Sequence, residues 1–131
     1  MKSTIVDANV FLRFFVPDDK IKYKTALDFF HNSKKNKVNL VVPQIIVFEV
    51  NYSLLKFYHF EKEKIIKALA SMFSADYLDI ESIEIFTDAL KIYQNNNLDL
   101  TDCFLAAKKN LENMDIFSFD EKLNKYAKQN I

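Results

Sequence analysis

Residues 3–13, Ser3-Thr4-Ile5-Val6-Asp7-Ala8-Asn9-Val10-Phe11-Leu12-Arg13, decide the fold. Thr4-Ile5-Val6 is short, apolar and β-branched, as a buried strand is. Asp7 ends that run and is placed to cap a helix starting at Ala8 or Asn9. A strand that closes on an acid and turns straight into a helix is how a parallel α/β unit opens. The pattern returns near the end of the chain, where Asp120 follows Ile116-Phe117-Ser118-Phe119. If the two runs are neighbouring parallel strands, their last residues meet at the sheet edge where open α/β folds bind ligands.

Working outward, the apolar runs 3–6, 38–42, 77–80 and 115–119 are short and carry β-branched or aromatic residues, which predicts four strands. Helical spacing predicts helices over 21–32, 61–73, 82–94, 101–112 and 122–129, and Pro43 is well placed to begin another reaching about Tyr58. Strands alternating with helices argue for a parallel sheet covered on both faces. Asn113, after Glu112, takes the left-handed position that usually ends a helix with glycine. There is no repeat, low-complexity tract or linker, and 131 residues make a single domain, 1–131, with a real core.

The composition removes several function classes. The chain has no glycine, which excludes phosphate loops, the dinucleotide fingerprint and the nucleophile turn of serine hydrolases. Two histidines and one cysteine are too few for a familiar structural zinc site. The lone Cys103 suits a reducing compartment, and neither a signal peptide nor a membrane-spanning run is read, so a cytoplasmic protein is expected. Net charge is zero from 18 basic and 18 acidic residues, so no nucleic-acid partner is announced by overall charge. The basic groups Lys20–Lys24, Lys34–Lys37 and Lys108-Lys109 read singly as solvated helix faces. Only clustering on the rim of an acidic site would give them a function.

Carboxylates remain as the chemical currency, and four stand in telling settings: Asp7, Glu49, Asp102 and Asp120. For the aspartates a structural reading competes. Asp7 and Asp120 can cap helices, as Asp99 or Thr101 can cap the helix holding Asp102, each cap being worth about 1 kcal/mol. Glu49 tips the balance. Its neighbours Ile45, Ile46, Val50, Leu54 and Leu55 leave little polar surface, so it is expected to be buried. A buried carboxylate must be protonated, paired (with Lys56 or a distant lysine) or bound to a cation. A hard divalent ion shared with Asp7 explains both residues. Mg²⁺ and Mn²⁺ prefer oxygen ligands, and a bound water can then attack a phosphodiester. Asn9 and Ser118, two residues from Asp7 and Asp120, can orient a carboxylate, a water or a phosphate.

With these segments in view, the chain resembles PIN-domain ribonucleases, particularly toxins of the VapC type. The resemblance is carried by residues 5–13, 42–50 (Val42-Pro43-Gln44-Ile45-Ile46-Val47-Phe48-Glu49-Val50), 98–107 and 117–120, in matching order and at matching intervals. It implies a three-layer α/β/α fold whose central parallel sheet has four strands, or five. It also implies a Mg²⁺- or Mn²⁺-dependent endoribonuclease site at the carboxyl edge. Asp7, Glu49, Asp102 and Asp120 match the family's four acidic positions, Ser118 its usual Ser/Thr, and Asn9 its frequent polar residue; Asp99 is a secondary candidate. The family further implies structured RNA substrates such as tRNA or ribosomal RNA, a homodimer, and a small cognate antitoxin that inserts near the active site. Two departures stand out: the sequence stops at Ile131, short of a fifth strand, and Asn113 replaces the common glycine.

The expected chemistry is metal-assisted hydrolysis of an RNA phosphodiester. One competing class is a non-catalytic PIN-like module that binds RNA or protein, against which the presence of all four acids argues. Another is a phospho-acceptor signalling domain, which would need paired acids after the first strand. The Phe-rich stretch 11–15, with Phe29 and Phe30, reads as core and subunit contact rather than as base-stacking platforms. Arg13, the sole arginine, shares a helix face with Asn9 and can pair locally or touch phosphate.

Overall fold

The computed structural model describes residues 2–129. They form two compact units, one ending at Glu81 and the other beginning at Ser82. The first runs β1 (Ser3–Ile5), α1 (Ala8–Phe15), α2 (Lys20–Lys35), β2 (Asn39–Val42), α3 (Gln44–Lys56), α4 (Lys62–Ser74) and β3 (Leu78–Ile80). Its three strands are parallel in the order β1-β2-β3, with Ile5 opposite Val41 and Val41 opposite Asp79. The ladder continues one residue past β1, where the Val6 N–H donates to Val41 O at 3.0 Å. Parallel strands joined through helices, with helices flanking the sheet, are the α/β arrangement expected.

Packing follows from the helices' apolar faces. In α3 the side chains of Val47, Val50 and Leu54 are fully buried; α4 adds Ile65 and Leu69, and the middle strand Leu40 and Val42. Each such residue contributes about 1.5–3 kcal/mol by leaving water. An aromatic group joins α1 to α2: the Phe30 ring lies 5.4 Å from Phe11 and 5.7 Å from Phe14. The core reading of the Phe-rich stretch therefore holds for Phe11 and Phe30, both buried.

Without glycine, left-handed backbone falls to other residues: Lys37, His59, Ser82 and Asn113 all have φ between 52° and 61°. Lys37 ends α2 in the double hydrogen bond typical of helix stops. Its N–H donates to Lys34 O at 3.3 Å and that of Val38 to Ser33 O at 2.9 Å. Asn113 ends the helix Leu100–Glu112 as expected, and the Met114 N–H returns to Lys109 O at 3.0 Å.

The second unit is helical: α5 (Ile83–Asn95), α6 (Leu100–Glu112) and α7 (Glu121–Gln129). Phe86 and Phe104, with ring centroids 4.9 Å apart, join α5 to α6, and Leu123 is the fully buried residue of α7.

The fourth strand expected at 115–119 does not form; among the described residues the sheet has three strands, and 114–118 carry no regular secondary structure. The reason is local. Met114 at one end belongs to the stop of α6, and Ser118 at the other is tied into the start of α7. The stretch between them pairs with no strand among the described residues, and the apolar rings that suggested one are open to solvent, Phe117 at 89% and Phe119 at 91%.

Candidate metal and nuclease site

In the first unit the carboxyl ends of the strands bring acids to one edge. Asp7 follows β1 and caps α1, its Oδ1 accepting from the Ala8 N–H at 2.8 Å. Glu81 follows β3 at the same edge and caps α3 from outside: its Oε1 accepts from the Gln44 N–H at 2.9 Å. It does so because Pro43, the residue before α3, has no side-chain group to offer. Glu81 escaped the sequence reading, although the signal used for Asp7, an acid closing a strand, applied to it equally. Asn9 is exposed in the first turn of α1.

Glu49 corrects an expectation. It is exposed on α3, and it makes no ion pair with Lys56 among the described residues. The apolar neighbours that suggested burial are divided by the helix. Ile46 and Val50 face the core, whereas Ile45, one turn before Glu49, is 74% exposed and Tyr52, one turn after, is 54% exposed. Glu49 therefore stands in solvent on a stripe of apolar side chains, and the argument from burial does not apply to it.

In the second unit Asp99, Asp102 and Asp120 come together electrostatically. Asp99 caps α6, accepting from the Asp102 N–H at 2.9 Å. Asp120 caps α7, accepting from the Leu123 N–H at 3.0 Å. Ser118 holds Asp120 in place, its Oγ accepting from the Asp120 N–H at 2.9 Å, while Asn124 donates to Ser118 O at 2.7 Å. Asn124 also went unnoticed in the sequence, where it is one more polar helix residue four positions after Asp120. The result is a carboxylate problem centred on Asp102. Partial burial, then the charges of Asp99 and Asp120 and a hydrogen bond with the Asp99 carboxyl, push its pKa from 3.8 up to about 6. Like charges that cannot all ionise comfortably are relieved by a cation.

The cap readings and the ligand readings are thus compatible. Asp7, Asp99 and Asp120 each use Oδ1 for a backbone N–H, which leaves Oδ2 to bind something else. Among the described residues no three His, Cys, Asp or Glu side chains are grouped closely enough to enclose a metal ion. The donor set is all oxygen, which suits a hard ion such as Mg²⁺ that keeps several waters and needs few protein ligands.

The PIN domain family matches residues 4–129. The chain belongs to the PIN domain family. It is also similar to a VapC ribonuclease of Aquifex aeolicus (strain VF5), 24% identical over 122 residues, which cover 92% of this chain and 90% of that protein. No solved structure matches significantly. No helix among the described residues of this PIN-domain chain is long and apolar enough to cross a membrane.

Proposed function

We propose that this PIN-domain chain is a Mg²⁺- or Mn²⁺-dependent endoribonuclease and the toxin of a toxin–antitoxin pair, with Asp7, Glu49, Asp102 and Asp120 as metal ligands. The observation that carries the reading is the gathering of Asp99, Asp102 and Asp120, where partial burial first and the two neighbouring carboxylates second lift the Asp102 carboxyl to about 6. Similarity to a VapC ribonuclease along nearly the whole chain supports RNA as the substrate.

A bound divalent ion supplies charge neutralisation at the phosphate and a more acidic water. The chain's own residues do the rest. Asp7 is fixed by its bond to the Ala8 N–H, so its second oxygen is presented without a further loss of side-chain freedom. Ser118 fixes Asp120 in the same sense from the residues before α7. Asp102, lifted to about 6 by burial and its acidic neighbours, is the carboxyl whose ionised form a cation would favour most. Structured RNA such as tRNA or ribosomal RNA is the substrate class of this reading, and a cognate antitoxin and a second copy of the chain are its protein partners. The exposed Ile45, Tyr52 and Phe57 offer apolar surface to such a partner.

The test is incubation of total cellular RNA with the purified protein in Mg²⁺, Mn²⁺ or chelator, with the new ends mapped by sequencing. Discrete fragments dependent on the ion are expected. Stoichiometric RNA binding without turnover in either ion would instead mark a non-catalytic binding module.

A further inference from the structure

A cleft of about 430 Å³ lies between α1 and α2, lined by Asn9 and Arg13 from the first helix and by Lys22, Thr25 and Phe29 from the second. Its volume is in the range of small-ligand sites. The lining follows from helical spacing. Asn9 and Arg13 are four apart on α1, and Lys22, Thr25 and Phe29 recur at three- and four-residue intervals on α2, so each set forms one face. Arg13 lies six residues beyond Asp7, about 9 Å along the axis of α1, a separation on the scale of adjoining nucleotides.

The chemistry of this cleft is cationic with an aromatic wall. No acidic side chain lines it. The helix supplying its outer wall, α2, carries five lysines against one aspartate, in a chain with no net charge. Among the described residues Arg13 pairs with Asp18, at 3.8 Å, and that carboxylate is 62% exposed; such a pair is worth little and a phosphate can replace it. Thr25 gives its hydroxyl hydrogen to Ile21 O at 2.9 Å, which leaves it as an acceptor. Phe29, half-buried, adds a π surface of the kind on which unpaired bases stack.

We propose that this cleft seats a nucleotide adjoining the one that is cut, its base against Phe29 and its phosphate held by Arg13 and Lys22. The inference rests on the reading of the chain as an RNA-cutting enzyme and adds to it a path for the strand along α1. It also gives Lys22 a role beyond a solvated face.

The test is binding of a labelled single-stranded RNA dodecamer, followed by fluorescence anisotropy over a range of salt in chelator, where no cleavage competes. Lys22→Gln, at an exposed helix position, should weaken binding of every sequence and reduce the slope of log K against log salt by about 0.7. Phe29→Leu keeps the apolar volume and removes the π face; it should weaken binding about tenfold with the slope unchanged. Melting curves establish that both variants fold, and if Phe29→Leu does not, the Lys22→Gln slope decides alone. Unchanged affinity and slope, while the wild type binds, overturn the cleft as an RNA seat and leave the nuclease reading standing. Failure of the folded wild type to bind RNA at low salt also overturns the cleft as an RNA seat, while the nuclease reading stands or falls on ion-dependent cleavage of cellular RNA.

Discussion

Replacing Asp102 by Asn removes a charge that the folded chain holds at a disadvantage. The wild-type carboxyl titrates at about 6 when folded, against an ordinary 3.8. At face value that rise is ~3 kcal/mol, but the carboxyl is only partly buried, and screening by water reduces the effect to ~1 kcal/mol. The sign follows from linkage. A carboxyl whose folded pKa is raised contributes stability that is complete below 3.8 and lost as pH rises through about 6. Asn at this position keeps its backbone N–H bond to Asp99 Oδ1 and loses the charge. In chelator, urea unfolding should therefore show the two proteins nearly equal at pH 4. By pH 8 the variant should be ~1 kcal/mol more stable, a rise in melting temperature of roughly 3–5 °C. A gap of the same size at both pH values, or a less stable variant at pH 8, would refute the electrostatic account of this cluster.

Other outcomes follow from single side chains. Asp7→Asn keeps an oxygen for the Ala8 N–H and should fold as the wild type does, whereas Asp7→Ala should cost about 1 kcal/mol in denaturant titration. In wild-type protein, Mg²⁺ at 100 times its dissociation constant should add about 2.7 kcal/mol of stability, read as a shift in thermal melting; Asp102→Asn should reduce that gain. Ser118→Ala frees the Asp120 N–H and should cost ~1 kcal/mol while slowing RNA cleavage, measured as initial rate at saturating metal. Lys37→Gly, far from any proposed ligand in chain position, relieves left-handed backbone and should stabilise by about 1 kcal/mol.

Much of this was legible because it is local. Asp7 as a strand end and helix cap, Pro43 before α3 and Asn113 as a left-handed stop each depend on a few adjacent residues, and the structure has all three. The strand proposed at 115–119 was less secure, because a strand exists only by its ladder, and alternating Phe117 and Phe119 describe a periodicity without a partner. Glu49 failed for a related reason. Apolar neighbours in sequence imply burial only if the helix hides them, and α3 leaves Ile45 and Tyr52 in water. Glu81 could be read as an acid closing a strand, but its bond to the Gln44 N–H spans distant residues and has no short-range signature, and Asn124 shows its role only through Ser118.

The central claim is that four carboxylates bind the ion that makes this chain cut RNA. Its most direct measurement is the cleavage rate of one fluorescent RNA in Mn²⁺ by the wild type and by Asp7→Asn, Glu49→Gln, Asp102→Asn and Asp120→Asn, each confirmed as folded. The account predicts a rate for the wild type that vanishes in chelator and falls at least ~100-fold in every variant. A variant that cleaves at the wild-type rate would remove its residue from the ligand set, and wild-type cleavage undiminished in chelator would contradict the metal mechanism itself.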